Sequence, residues 1–209
     1  MAQVTINRIS GIIPAKNEAR YISQVVEEIK EYVDEVLVVD DSSTDNTSEV
    51  AESAGAKVIQ SEGRGYINAI RTGFRKAMGD IVVTLDGDGE HNPKEIPLLT
   101  SPILNGKADL VLGKRNNIAR PSERLISHLT RLKTGITDSG TGFRAMKREL
   151  ALKLNLNGRC ICGISVLEPY HLHATITEVP ITLNNIQKKR NIAWDHFLQP
   201  LYVLKWLIR

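Results

Sequence analysis

The sequence is short of several things, and each shortage excludes a class of protein. It has two cysteines in 209 residues, too few for a disulfide framework. Its charge is nearly balanced: 27 basic against 24 acidic residues give +3. That surplus is smaller than the basic footprint of a nucleic-acid binder, so no nucleic-acid partner is expected. No window reaches 18 apolar residues, so no helix is expected to span a membrane. The first eight residues lack an apolar h-region, and no secretory signal is visible. These absences predict a cytoplasmic chain, at most peripheral on the cytoplasmic face of a membrane. There is no internal repeat and no low-complexity segment. What remains is ordinary globular usage, 42% hydrophobic and 24% charged, at a length that suits one domain with its own core.

Four short apolar runs organise the first half: Ile9 to Ile13, Val36 to Val39, Ile81 to Leu85 and Leu110 to Leu112. Continuous Val- and Ile-rich runs of this length read as strands buried on both faces, the pattern of a parallel sheet. Lys57 to Gln60 reads as a weaker strand, and Thr175 to Leu183 as an alternating one. Helical spacing lies between them. Ile22, Val25, Val26 and Ile29 fall on one face within Glu18 to Glu31. Asp45 to Ala54 opens with capping residues, and Gly65 to Met78 carries Ile67, Ile70, Phe74 and Met78. Strand–helix alternation predicts an α/β/α sandwich with right-handed crossovers. Asn116 to Asp138 is polar, basic and weakly periodic, with Arg120, Arg124, Arg131 and Lys133.

In open α/β sheets, ligands bind beyond the carboxyl ends of the strands. After the first run comes Pro14-Ala15-Lys16-Asn17-Glu18, after the second Asp40-Asp41-Ser42-Ser43-Thr44-Asp45, and after the third Asp86-Gly87-Asp88-Gly89-Glu90. Any one of these loops reads equally well as a cap or a turn. Three at one sheet edge predict a site. Asp86, Asp88 and Glu90 offer oxygen at alternating positions, which suits a hard cation, Mg²⁺ or Mn²⁺. An EF-hand is excluded because its sixth position is His91 and its twelfth Pro97. A dinucleotide fingerprint around Gly63-Arg64-Gly65 has Asn68 in its third glycine position, and no Gly-Lys-Ser or Gly-Lys-Thr of a P-loop occurs. Nor does a glycine-rich loop follow the first strand, as a sugar nucleotidyltransferase would require. Cys160-x-Cys162 and His171-x-His173 do not match zinc spacings.

Ile12 to Glu18, Val38 to Asp45, Gly63-Arg64-Gly65 and Leu85 to Gly89 together resemble glycosyltransferase family 2. Asp138-Ser139-Gly140-Thr141-Gly142-Phe143-Arg144 is similar to the D-x-x-S-G-F-R signature of its dolichyl- or polyprenyl-phosphate sugar synthase branch, with Thr141 in place of Ser. Glu178-Val179-Pro180-Ile181 is similar to that branch's last core strand. The resemblance runs over about residues 8 to 190 and implies a GT-A (nucleotide-diphospho-sugar transferase) fold with a mostly parallel central sheet flanked by helices. It implies transfer of a hexose from a UDP- or GDP-linked sugar. Carried over, Pro14, Ala15, Asn17, Glu18, Asp40 and Asp41 surround the nucleoside, and Arg64 lies near the diphosphate. Asp86 and Asp88 form the DxD motif, Glu90 is a further ligand, and Gly87 lets the backbone approach the phosphates. Glu168 matches an acidic helix position without an assigned role. The stretches between Arg115 and Asp138 and between Lys153 and Glu168 are shorter than the family's usual acceptor regions.

A lipid monophosphate is already an oxyanion near pH 7, so it needs positioning cations rather than a base. Arg115 and Arg144 are the candidates, because a guanidinium fork clamps phosphate oxygens. A sugar hydroxyl acceptor needs a base, for which Asp138 is the candidate; its alternative reading is a cap or turn residue. Lys188, Lys189 and Arg190 form a basic run that is either solvated or a phosphate contact. The expected division is a catalytic domain over 1–190 and an apolar amphipathic helix over 191–209. Its portion from Trp194 to Arg209 suits a membrane surface, the core, or a second subunit in a homo-oligomer. Three activities remain open: a metal-dependent inverting transferase to polyprenyl or dolichyl phosphate, one acting on a soluble glycan, and a non-catalytic nucleotide-sugar-binding domain.

Overall fold

The computed structural model describes residues 7–118, 120–158, 160–186 and 193–208, with backbone alone for 193–197 and 208. Lys188, Lys189 and Arg190 lie outside the described residues, as does the side chain of Trp194. The apolar runs become β1 (Ile9–Ala15), β2 (Glu35–Asp40), β4 (Ile81–Thr84) and β5 (Leu110–Arg115), with β3 at Lys57–Gln60. β6 (Arg144–Lys147) and β7 (Ile176–Ile181) complete a seven-stranded sheet of order β3-β2-β1-β4-β6-β5-β7. Every pairing is parallel except those of β6, which runs antiparallel between β4 and β5.

The central strands are buried on both faces, as their lack of alternation requires. Ile13, Val36, Val38 and Val83 point to one face, where α1 (Ile22–Ile29), α2 (Thr47–Ser53) and α4 (Ile96–Leu104) cover them. Ile12, Leu37, Val39 and Val82 point to the other, beneath α3 (Tyr66–Lys76), α6 (Arg148–Ala151) and α7 (Ile164–His171). This is the expected α/β/α sandwich. Helix α1 begins at Ile22 rather than Glu18, because Asn17 takes φ 57° and turns the chain first.

The polar stretch after β5 holds a 14-residue helix, α5 (Pro121–Thr134). It starts with Pro at its first turn and stops at Gly135 with φ 76°. Its apolar period is weak because Glu123, Ser127 and Thr130 share the buried face with Ile126. Helix α7 has no period to read, since Ile164 through Pro169 are all buried. The C-terminal helix α8 (Ala193–Ile208) packs on α5 and α7. Its Val203 is fully buried with Ile126, Cys162 and Leu167.

Candidate active site

β1, β2 and β4 are neighbouring parallel strands, so the three acidic loops meet at one edge of the sheet. Pro14 and Ala15 form a buried floor there. Asn17 accepts the Thr44 amide at 2.7 Å and gives its own amide to Ser43 Oγ at 3.0 Å. The Glu18 amide donates to Thr47 Oγ1 at 2.8 Å. Asp40, 5% exposed, accepts from the amide and hydroxyl of Ser43, from Ser48 Oγ at 2.8 Å and from Gln60 Nε2 at 3.3 Å. Burial pushes its carboxyl up, but these bonds together outweigh burial and hold it below the ordinary aspartate value. Asp41 accepts the Gly65 amide at 2.8 Å, and Lys16 stands 3.7 Å from its other oxygen. That bond ties the β2 loop to the start of α3, beside exposed Arg64. The residues expected around the nucleoside and diphosphate are thus brought to one corner, with Asp40 and Asp41 bracing the loops.

The third loop leaves β4 at the centre of the edge. Asp86 Oδ1 accepts from the Tyr66 hydroxyl at 3.0 Å, and the Asp86 amide donates to His91 Nδ1 at 3.2 Å. His91 is 4% exposed and lies 5.2 Å from the Phe143 ring. Burial, and then the Asp86 charge, push the Tyr66 phenol well above its usual value, so it stays a donor. Asp88 is 4% exposed and accepts the Glu90 amide at 3.2 Å. A Cβ on Gly87 would meet Ile13 and Ile22 at 3.3 Å. A Cβ on Gly142 would fall 2.7 Å from Asp86 Oδ2, so that glycine leaves room the carboxylate occupies. Among the described residues no three His, Cys, Asp or Glu side chains converge as a complete metal cluster, Asp86, Asp88 and Glu90 included. Two carboxylates with oxygen donors alone still fit Mg²⁺ or Mn²⁺, which takes its remaining ligands from diphosphate and water. Of the thiol and imidazole candidates, Cys162 is buried in the core and His171 Nε2 lies 2.9 Å from the Trp206 carbonyl.

Two strands further on, Arg115 closes β5. Its Nε and Nη2 each lie 2.8 Å from an oxygen of Asp138, and Nη2 also reaches Glu123 at 3.0 Å. The Arg115 and Gly140 amides donate to Asp138 as well. Asp138 is 1% exposed; burial pushes its carboxyl up, but Arg115 and the amides outweigh burial and hold it low. Glu178 on β7 accepts the Thr137 and Asp138 amides at 2.9 and 2.7 Å and fixes this turn from below. Arg144 is also 1% exposed, with no partner for Nε among the described residues and Nη2 3.5 Å from the Ser139 carbonyl. Burial lowers its pKa, against the raising influence of Tyr66, Cys162, Asp86 and Asp138. The two arginines therefore differ: Arg115 edges the site and Arg144 lies sealed beneath it. Glu168 accepts the Asn155 and Leu156 amides at 2.7 and 2.8 Å, a loop-bracing role.

Tyr66, His91, Glu123 and Glu178 bond or border the expected site residues; in the sequence alone Tyr66 and Glu123 have no place, and His91 counts only against an EF-hand and Glu178 only within the last core strand. For Glu123 a signal existed, its i,i+3 spacing from Arg120, whose Nη1 lies 3.4 Å from it. That spacing means something only once the helix start is recognised.

The chain is 31% identical to a UDP-N-acetylglucosamine–dolichyl-phosphate N-acetylglucosaminyltransferase of Methanococcus voltae, covering 81% of this chain and 83% of that one. It is 32% identical to an undecaprenyl-phosphate 4-deoxy-4-formamido-L-arabinose transferase of Pseudomonas fluorescens, covering 72% of this chain and 50% of the relative. The chain spans about half the length of several curated relatives that it matches. Among solved structures, glucosyl-3-phosphoglycerate synthase of Mycobacterium tuberculosis in complex with Mn²⁺ and UDP-glucose superposes with a TM-score of 0.76 at 25% identity. That match covers 95% of this chain and 78% of the synthase, and the GT-A architecture is shared. The model of the family described as glycosyl transferase family 2 matches residues 10–166, and the chain belongs to that family.

Proposed function

We propose that this chain is an inverting hexosyltransferase that moves a sugar from a UDP- or GDP-linked donor to a polyprenyl or dolichyl phosphate. The observation that carries the reading is the turn from Asp138 to Arg144, which touches both halves of the site. Its Gly142 lies against Asp86, and the position of a Cβ on Gly140 is 3.1 Å from Arg115 Nη2. One short segment thus joins a carboxylate loop suited to a metal diphosphate with a guanidinium suited to a phosphate. The relatives named for undecaprenyl- and dolichyl-phosphate acceptors support the same choice.

The donor nucleoside would lie over Pro14 and Ala15, bordered by Asn17, Glu18, Asp40 and Asp41, with Arg64 towards the diphosphate. Asp86 and Asp88 would hold Mg²⁺ or Mn²⁺; when bound, that ion offsets the negative charge that develops on the leaving diphosphate. Tyr66 and His91 orient Asp86, and Gly142 leaves its carboxylate room. Arg115, fixed by Asp138 and Glu123, would position the acceptor phosphate. An oxygen of that phosphate attacks the anomeric carbon from the face opposite the diphosphate. The bond from that carbon to the diphosphate oxygen breaks, and its electron pair leaves with the diphosphate. Both oxygens of Asp138 already bind Arg115, which favours a positioning role over a general base. This speaks for a phosphate acceptor over a glycan hydroxyl.

Turnover of UDP- and GDP-sugars with polyprenyl phosphate and Mn²⁺ tests the reading. Asp88→Asn is expected to lower it on the order of 10³-fold while the circular dichroism spectrum stays unchanged. Full activity in that variant, or transfer to a glycan hydroxyl alone, overturns it.

A further inference from the structure

Helix α8 is mostly apolar, yet it seals an amide in the core: Gln199 is fully buried. A buried amide costs free energy unless its groups are bonded, so a leucine would serve packing alone better. Gln199 spends both ends of its amide on one loop. Its Oε1 accepts the Cys160 amide at 3.1 Å, and its Nε2 donates to the carbonyls of Cys160 and Cys162, each at 2.8 Å. Two glycines keep the approach open. A Cβ on Gly158 would stand 3.1 Å from Gln199 Oε1, and one on Gly163 would meet Val203 at 2.8 Å and Thr130 Oγ1 at 3.0 Å. Gly163 also takes φ 78°, which favours glycine, as it turns the chain into α7.

The loop passes this constraint to the acceptor side. Gly163 follows Cys162 directly, and its amide donates to the Ser139 carbonyl at 3.3 Å; the Ser139 amide donates to Ser127 Oγ on α5 at 3.2 Å. Ser139 is the neighbour of Asp138, which binds Arg115 through both of its oxygens. The far end of the turn is pinned without α8. Thr84 Oγ1 donates to the Gly142 carbonyl at 2.8 Å, and the Gly113 amide donates to the Phe143 carbonyl at 2.9 Å. A shift of the Cys160–Cys162 loop therefore acts on the Asp138 end of the turn and leaves Gly142 against Asp86.

We propose that Gln199 is a positioning residue for the acceptor side. By holding the Cys160 and Cys162 carbonyls it fixes the Gly163 amide against Ser139, and through Asp138 it sets where the Arg115 guanidinium points. Gln199 lies beyond residues 10–166, the span that the family model matches. The role deepens the lipid-phosphate reading and rests on it for the acceptor, but the setting of Arg115 is measured without any substrate.

The test uses two substitutions. Gln199→Met keeps the side chain's length and removes the amide; the isosteric Gln199→Glu sets an oxygen against the two carbonyls. In both, the ¹H–¹⁵N resonance of Arg115 Nε, identified by its loss in Arg115→Lys, should move or broaden. KM for polyprenyl phosphate should rise on the order of tenfold, while KM for the nucleotide sugar and the thermal shift by UDP with Mn²⁺ stay at wild type. Gln199→Asn keeps the amide on a shorter reach and should fall between them and wild type. Ile29→Ala opens a cavity in the core under α1, on the other face of the sheet, and lowers stability without moving either readout. An Arg115 resonance that stays in place, or an unchanged KM for polyprenyl phosphate in the Met and Glu variants, overturns the proposal. So does an Ile29→Ala protein that reproduces their changes, since lost stability then explains them. If wild type transfers no sugar to polyprenyl phosphate but the Arg115 resonance moves in the Gln199 variants alone, the transferase reading fails and the positioning role stands. If wild type turns over and the variants match it in both readouts, the reverse holds.

Discussion

The donor corner and the acceptor side solve the same problem with different partners. At the ends of β1 and β2, carboxylates are held by neutral donors: Ser43, Ser48 and Gln60 around Asp40, and Thr47 at Asp45. At the end of β5, Asp138 and Glu123 are held by a cation, Arg115, and Arg120 adds a second contact to Glu123. Most bonds of the first kind span fewer than ten residues, while Arg115 reaches Asp138 across 23 and Glu178 reaches Asp138 across 40. Local neutral bonds shape each donor loop, while a few longer ones, such as the Gly65 amide to Asp41 across 24 residues, tie the loops together. A buried ion network forms only when the whole sheet is assembled, and it is intolerant of losing one member.

Breaking the ion network should have the largest effect. Arg115→Met leaves Asp138 and Glu123 buried without their cation, at a cost of about 3–5 kcal/mol. Urea denaturation checks this, and a loss under about 1 kcal/mol would show that the network is not what holds the acceptor side. On the donor side, Tyr66→Phe removes one hydroxyl from Asp86. Mn²⁺ affinity should fall about 10- to 100-fold with little change in stability. Calorimetric titration in the presence of UDP reads it, and unchanged affinity would remove Tyr66 from the site.

Acid should touch both halves. Asp40 and Asp138 are held below their unfolded value near 3.9, so each binds its proton less readily in the folded chain. Their stabilisation is complete above that value and is lost as pH falls through their lowered folded values. Melting temperature should therefore be insensitive to these groups from pH 5 to 8 and drop below about pH 4. In Asp138→Asn the drop should be shallower, and an identical acid limb in that variant would contradict the assignment. The smallest effect belongs to the long pair between exposed Lys16 and Asp41, at 3.7 Å. Lys16→Ala should change stability by about 0.5 kcal/mol or less, and a thermal melt that moves by many degrees would mean that the donor corner also depends on a cation.

The regions that the sequence made legible follow the same division. Ile9 to Ile13 and Val36 to Val39 read as buried strands because both of their faces meet helices, and the acidic loops stand out because they follow those runs directly. Helix α5 was obscured by Glu123, Ser127 and Thr130 on its inner face, polar residues buried only because Arg115, Ser139 and the neighbouring loop meet them. The short strand β6 was hidden by Arg144, a fully buried guanidinium in a four-residue strand. Gly140 and Gly142 were visible as a motif, but what each makes room for is a long-range contact.

The sequence by itself determined which segments of the first half are strands, the α/β class and the carboxylates that follow those strands, because period, run length and adjacency are local properties. Tertiary structure alone decided that Asp138 is locked to Arg115, that Arg144 is sealed beneath the site while Arg115 borders it, and that Val203 of α8 packs with Ile126 of α5. Each of these depends on segments tens of residues apart packing together. Burial and pairing, which set charge and role, are properties of the neighbours a side chain acquires only when the chain has folded.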